Sequence, residues 1–345
     1  MRIVSIVELG EPLAVALEHL PVSPVSPPID WVTMTHANDH WEGPGLTAIP
    51  QTNSTRWLLY GLWIATSLIV FLRPLNAIVH FAANNDDASH IFLIPFISAA
   101  VIYLEHRAIF QRISYDPIGA ALLALVAGAV GAAALLWHAS WSLSQTLSAY
   151  ALALVLLWIS GFALFFGRNA ARTARFSLLL LLLAVPLPDF LLTHAVNFLQ
   201  KGSAELVAAL FDLVGIPFLR QGFVFELGRF TIEIAEECSG IRSSMAVLIL
   251  AFLAAHFYLR SFWKQALFIL CSLFIMIVKN GVRIATLTIL ALYVNPSFLF
   301  GKLHRDGGVV FFLLGLVLLL PILWFLGRRE GQPGKDAGFT ASQGA

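Results

Sequence analysis

The chain of 345 residues is 59% hydrophobic and 12% charged, where a soluble domain runs roughly half apolar and a quarter charged. Its 21 basic and 20 acidic residues are too evenly balanced for a nucleic-acid binder. Two cysteines, Cys238 and Cys271, are too few for a disulfide scaffold or a zinc cluster. Apolar residues arrive in blocks of about 20, the length of helix that crosses a bilayer, and this predicts an all-α polytopic membrane protein.

Residues 1–55 carry seven prolines (Pro12, Pro21, Pro24, Pro27, Pro28, Pro44 and Pro50) and six acidic residues. They lack the basic start and apolar stretch of a signal peptide. So little apolar surface cannot offset chain entropy, and a disordered cytoplasmic tail is expected there. Eight spanning helices are expected at 57–72, 89–104, 117–137, 146–167, 174–192, 240–259, 264–284 and 308–326. The apolar stretch from Ala285 to Val294 reads either as an extension of the seventh or as a re-entrant piece. A second flexible cytoplasmic tail is expected over residues 328–345. Trp57, Trp63, Trp137 and Trp141 fit interfacial aromatic belts.

Basic residues cluster in alternate short loops: Arg107 and Arg112; Arg168, Arg172 and Arg175; Arg260 and Lys264. With Arg328, Arg329 and Lys335 after the last block, they place these loops and both termini in the cytoplasm. The long segment near 193–238 then lies outside. Within it, 196–214 reads as an amphipathic helix, with Leu199, Leu206, Leu210 and Leu213 on one side and Lys201, Glu205 and Asp212 elsewhere. Alternation from Gly222 to Glu226 and from Phe230 to Ile234, about Leu227-Gly228, predicts a β-hairpin on the outer surface.

Polar residues at membrane depth are expensive and serve as functional candidates. Helix topology brings Cys238 at the outer start of helix six, Arg283 at the outer end of helix seven and His304 before helix eight to one face. A thiolate is favoured at a helix N-terminus or beside a cation. An imidazole can take its proton and return it to a leaving amine. A guanidinium cannot act as a base, and its forked donors suit an oxyanion or a carboxylate. Gly240 leaves room for a close backbone approach. Glu236 and Glu237 oppose thiolate formation, so a glutamate there would orient a partner or bind substrate. Cys271, mid-helix among Leu270, Phe274 and Ile275, reads as packing, and His138, His194 and His256 as ordinary helix-end residues.

Ala235-Glu236-Glu237-Cys238-Ser239-Gly240-Ile241-Arg242-Ser243 resembles the cysteine motif of the exosortase/archaeosortase family. Asn280-Gly281-Val282-Arg283-Ile284 resembles its arginine motif, and His304 before Gly307-Gly308 and Phe311-Phe312 its histidine motif. Ser89-His90 before Leu93-Ile94-Pro95 is similar to the family's Ser-His-Gly element, with Ile91 in the glycine's place. The resemblance spans about 57–326 and leaves the N-terminal tail outside it; no C-terminal soluble domain of the kind some members carry is seen.

The resemblance implies a multi-pass enzyme of the bacterial cytoplasmic membrane with its active site on the outer side. It would be a cysteine protease-transpeptidase needing no cofactor. Its substrates would be secreted proteins bearing a C-terminal sorting signal, made of a short motif such as Pro-Glu-Pro, a transmembrane helix and a basic tail. Exopolysaccharide-assembly proteins are the other partners it points to, together with membrane lipid. Cys238 would be the nucleophile, Arg283 the oxyanion or substrate-positioning group and His304 the acid/base. Glu236, Ser239, Gly240, Arg242, Asn280 and His90 would support them or bind substrate.

Two rivals are weaker. A glutamate-dependent CAAX-type protease would use Glu-Glu-x-x-x-Arg, but four residues separate Glu237 from Arg242, and His80 and Asn84 precede the glutamates. A transporter or channel would put Arg283 and Asn280 in its pathway, yet no inverted repeat or paired broken helices are evident.

Overall fold

The computed structural model describes residues 51–228, 230–234, 241–295 and 308–328, all within the unit Pro50–Ala345. Most of the expected tails, 1–50 and 329–345, lie outside the described residues. Helix α1 (Gln51–Val70) begins inside the stretch expected to be tail. It is followed by α2 (Leu72–Asn84), a 3-10 segment (Asp86–Phe92), α3 (Ile94–Leu104) and the single turn α4 (His106–Ile109).

Two long apolar helices come next. Asp116 caps α5 (Pro117–Trp137), its carboxylate accepting from Gly119 N at 3.0 Å with Pro117 at the first helical position. Helix α6 (Leu143–Thr173) opens with a capping box: Ser142 accepts from Gln145 N at 3.1 Å, and Gln145 accepts from Ser142 N at 3.2 Å. The two run antiparallel, with Ser160 Oγ donating to Ala120 O at 2.8 Å and Gly131 facing Ala153. Trp57 and Tyr60 of α1 pack on Phe110, Phe162 and Phe166. Trp63 Nε1 donates to Leu157 O at 2.8 Å. Trp57 and Trp63 are half-buried and pack within the bundle.

The chain then continues through α7 (Arg175–Leu180), a 3-10 turn (Leu181–Ala184) and the break at Pro186 and Pro188 into α8 (Asp189–Val214). Gly215, at φ 75°, ends α8 in the left-handed conformation. Three strands follow: β1 (Leu219–Gln221), β2 (Val224–Glu226) and β3 (Thr231–Glu233). They form an antiparallel meander in the order β1-β2-β3, with Phe225 opposite Ile232. The sequence placed arms at β2 and β3 but not the preceding strand β1. Arg220 of β1 bridges to Glu205 of α8 at 2.8 Å, and Phe225, Ile232 and Ile234 bury against Val207 and Phe211.

Helices α9 (Ile241–Tyr258), α10 (Phe262–Tyr293) and α11 (Gly308–Arg328) complete the described chain. With α8 they share a core of Leu199, Val247, Ala251, Phe268, Ile275, Met276 and Leu319. The stretch Ala285–Val294 resolves as helical extension, since α10 is continuous over 32 residues, about 48 Å at 1.5 Å per residue.

The expected eight spans are not all reproduced. Four described helices, α5, α6, α10 and α11, are long and apolar enough to cross a membrane. Two bent pairs raise the number to six: α1 with α2, turned by 78°, and Arg175–Ala184 with α8, turned by 93°. Helix α3 and Ser243–Tyr258 of α9 are apolar but shorter. The buried face of α8 also differs from the leucine stripe expected. It is Val196, Leu199, Gln200, Ser203, Ala204, Val207 and Phe211, whereas Leu213 is 81% exposed. Small residues decide this. A Cβ on Gly202 would lie 2.7 Å from Ile277, and one on Gly281 would lie 2.7 Å from Leu206, so α8 and α10 meet through their small side chains.

Candidate active site

Helix α10 carries Lys279, Asn280 and Arg283. Residues 279 and 283 stand one turn apart on one face, and 280 lies beside them. Arg283 is half-buried and Asn280 buried. The Asn280 amide donates from Nδ2 to Ser203 Oγ of α8 at 2.9 Å. That bond joins α8 to α10 near the close crossing at Gly202 and Gly281.

Lys279 was not singled out from the sequence, although an ionisable residue one turn from Arg283 in an apolar helix is the signal that could have found it. It is 2% exposed. Its Nζ donates to Ser243 Oγ at 2.6 Å, and its stem packs against Gly315 of α11, where a Cβ would come within 3.2 Å. Lys279 thus ties the first turns of α9 to α10 one turn before Arg283.

A second missed residue acts at the other flank. Gln200, buried on α8, donates from Nε2 to Ile234 O at 2.9 Å. Ile234 directly follows β3, and its side chain is buried in the hydrophobic cluster beneath the sheet. The two flanks of residues 235–240 are therefore pinned: Ile234 by Gln200 and Ser243 by Lys279. The helices that pin them are joined by the Ser203–Asn280 bond. Gln200 and Ser203 neighbour Lys201 and Glu205 in the sequence, and only the packing reveals that they face inward.

Of the expected site residues, Cys238, Glu236, Ser239, Gly240 and His304 lie outside the described residues. Arg242 belongs to the first turn of α9. His90 is half-buried in the 3-10 segment, which packs on α9. Its neighbours Ala88 and Ile91 share a cluster with Ile249, six residues from Ser243, or about 9 Å along the helix. The structure therefore brings the segment that carries His90 against the helix expected to follow the nucleophile. His256 is more than a helix-end residue: Nε2 lies 2.7 Å from Glu105 Oε1, and the ring stacks on Phe176 at 3.8 Å. Cys271 is half-buried within α10, consistent with packing. Among the described residues no group of three or more His, Cys, Asp or Glu could hold a metal ion.

These features define a multi-pass α-helical membrane protein in which Gln200, Ser203, Lys279 and Asn280 form a buried polar group where α8, α9 and α10 meet beside a small sheet. The chain belongs to the transmembrane exosortase family, whose sequence profile matches residues 81–321. Comparison with curated proteins and with solved structures returns no match.

Proposed function

We propose that the protein is a membrane cysteine protease-transpeptidase. It cleaves a C-terminal sorting signal of exported proteins at the outer face of the bacterial cytoplasmic membrane and passes the cleaved protein to an acceptor. The observation that carries this reading is the pinning of both flanks of residues 235–240 to the helices around Arg283. Cys238 precedes Ile241 by three residues, so their Cα atoms are at most about 11 Å apart. Ser243, two residues on, is bonded to Lys279, a turn from Arg283. A chain so tethered restricts the approach of a nucleophile, which is where much of a catalytic advantage originates.

On this reading the Cys238 thiolate attacks the scissile carbonyl carbon. A C–S bond forms, and the carbonyl π pair moves onto oxygen. The Arg283 guanidinium holds that oxyanion. Collapse of the tetrahedral adduct expels the amine, protonated by the His304 imidazolium, and leaves a thioester. An acceptor nucleophile, giving its proton to His304, then displaces Cys238 as thiolate. Glu236, Ser239, Gly240 and Arg242 surround the nucleophile in sequence and act as substrate-binding or supporting groups. His90 is a supporting residue approaching from the side of α9. The partners are secreted proteins ending in the sorting signal, in the setting of exopolysaccharide assembly.

The two cysteines test the assignment. Cys238→Ala should leave a tagged sorting-signal substrate full-length on an immunoblot, and Cys238→Ser should do nearly the same, because a hydroxyl is a much weaker nucleophile than a thiolate. Cys271→Ala should process normally. Processing by Cys238→Ala, with loss in Cys271→Ala, would overturn the nucleophile and the proposed activity together.

A further inference from the structure

Three arginines that the proposed chemistry leaves unused line one cavity. Arg168, Arg172 and Arg175 line an open depression of about 430 Å³ together with Asp116, Leu123 and Ala163. The backbone is bent to make it. Gly167 interrupts α6 at φ 88°, where a Cβ would collide with Ser114. Ser114 N donates to Phe166 O across the break at 3.2 Å. The break re-aims the last turn of α6, so that Arg168 and Arg172, one turn apart, share the cavity with Arg175 at the start of α7.

The charges do not balance within it. No guanidinium of the three takes part in an ion pair or hydrogen bond among the described residues. The single carboxylate, Asp116, is committed to capping α5 through Gly119 N. All three arginines are exposed, so their guanidiniums are open to an anion arriving from outside the fold. Leu123 and Ala163 add an aliphatic wall, which a free inorganic anion has no use for.

We infer that this cavity binds the phosphate of an anionic phospholipid headgroup. The forked guanidiniums take the phosphate oxygens, and the aliphatic wall receives the glycerol and first acyl carbons. The inference does not depend on the protease reading.

The test is thermal unfolding of the purified full chain in detergent, titrated separately with phosphatidylglycerol, phosphatidylcholine and inorganic phosphate. Phosphatidylglycerol should raise the melting temperature well beyond the other two. Each guanidinium–phosphate hydrogen bond contributes at least about tenfold, so Arg168→Gln/Arg172→Gln should weaken the apparent phosphatidylglycerol affinity about 100-fold. Arg107→Gln/Arg112→Gln, a cation pair outside the cavity, should leave it unchanged. Should the first pair fail to fold, Leu123→Glu supplies a counter-charge from within: it should fold and lose the lipid response. An undiminished response in Arg168→Gln/Arg172→Gln or in Leu123→Glu, or equal loss in the control pair, would overturn the site. Equal stabilisation by inorganic phosphate would overturn the lipid and assign a soluble phosphate compound instead.

Discussion

Lys279 and Ser243 offer a test in which stability and activity part company. Lys279 is 2% exposed and bonded to Ser243 Oγ at 2.6 Å. Lys279→Met removes the charge and keeps the stem that lies against Gly315. It forfeits a charge-assisted hydrogen bond worth about 1.5–3 kcal/mol, yet it also removes the desolvation cost of a buried ammonium, several kcal/mol by itself. The two offset, so Lys279→Met should fold within about 1 kcal/mol of the parent, or better. Ser243→Ala does the opposite, leaving the ammonium in place without that acceptor, at a cost of about 1–3 kcal/mol. The double variant should recover most of that loss. Unfolding by SDS titration in mixed micelles reads all four proteins. Processing should follow another order: Lys279→Met frees the head of α9, and a misplacement near 1 Å costs up to about a hundredfold in rate. If the losses of Lys279→Met and Ser243→Ala simply add in the double variant, the bond is not what fixes this corner.

Arg283→Lys keeps a cation but loses the planar fork, so it should insert normally and lose most processing on the same immunoblot; near-normal processing would reduce Arg283 to a charge at a helix surface. Gln200→Leu strips the donor from the Ile234 carbonyl and should cost about 1–3 kcal/mol in the SDS titration, whereas Glu205→Gln, at the exposed end of the Arg220 pair, should leave stability unchanged; the reverse order would mean that charge docks the sheet. Reporter fusions after Arg112 and Arg175 should read cytoplasmic and insertions at Gly228 external, and an external signal after Arg175 would invert the topology.

What was legible in the sequence followed from composition and period. Apolar blocks announced the long helices α5, α6, α10 and α11, because twenty apolar residues have few other stable arrangements in lipid. The bends were partly legible. Pro74 stands three residues past Phe71, where α1 and α2 part by 78°, and Pro186 and Pro188 mark the 93° turn into α8, whereas Gly167 looks like one more small residue in an apolar run. At the candidate site, Arg283 and Asn280 stood out as polar residues in α10. Lys279 was overlooked beside them, and Gln200 was hidden by the charged residues around it. Their importance lies in which carbonyl or hydroxyl they reach across 34 or 36 positions of chain, a relation that no local pattern encodes.

Helix α10 does not stop at Arg283. It runs ten residues further to Tyr293, and Ile284, Ala285, Ile289 and Leu292 join the cluster beneath the sheet. That extension raises a parapet about 15 Å high on one side of the arginine. On the proposed reading, a slack stretch of polypeptide passes it to the reacting carbonyl more readily than a folded cargo does. Crossing 15 Å in extended form takes about five residues. On the proposed reading, the spacer between a cargo's last folded element and its cleavage point has a minimum length, and the height of α10 sets it.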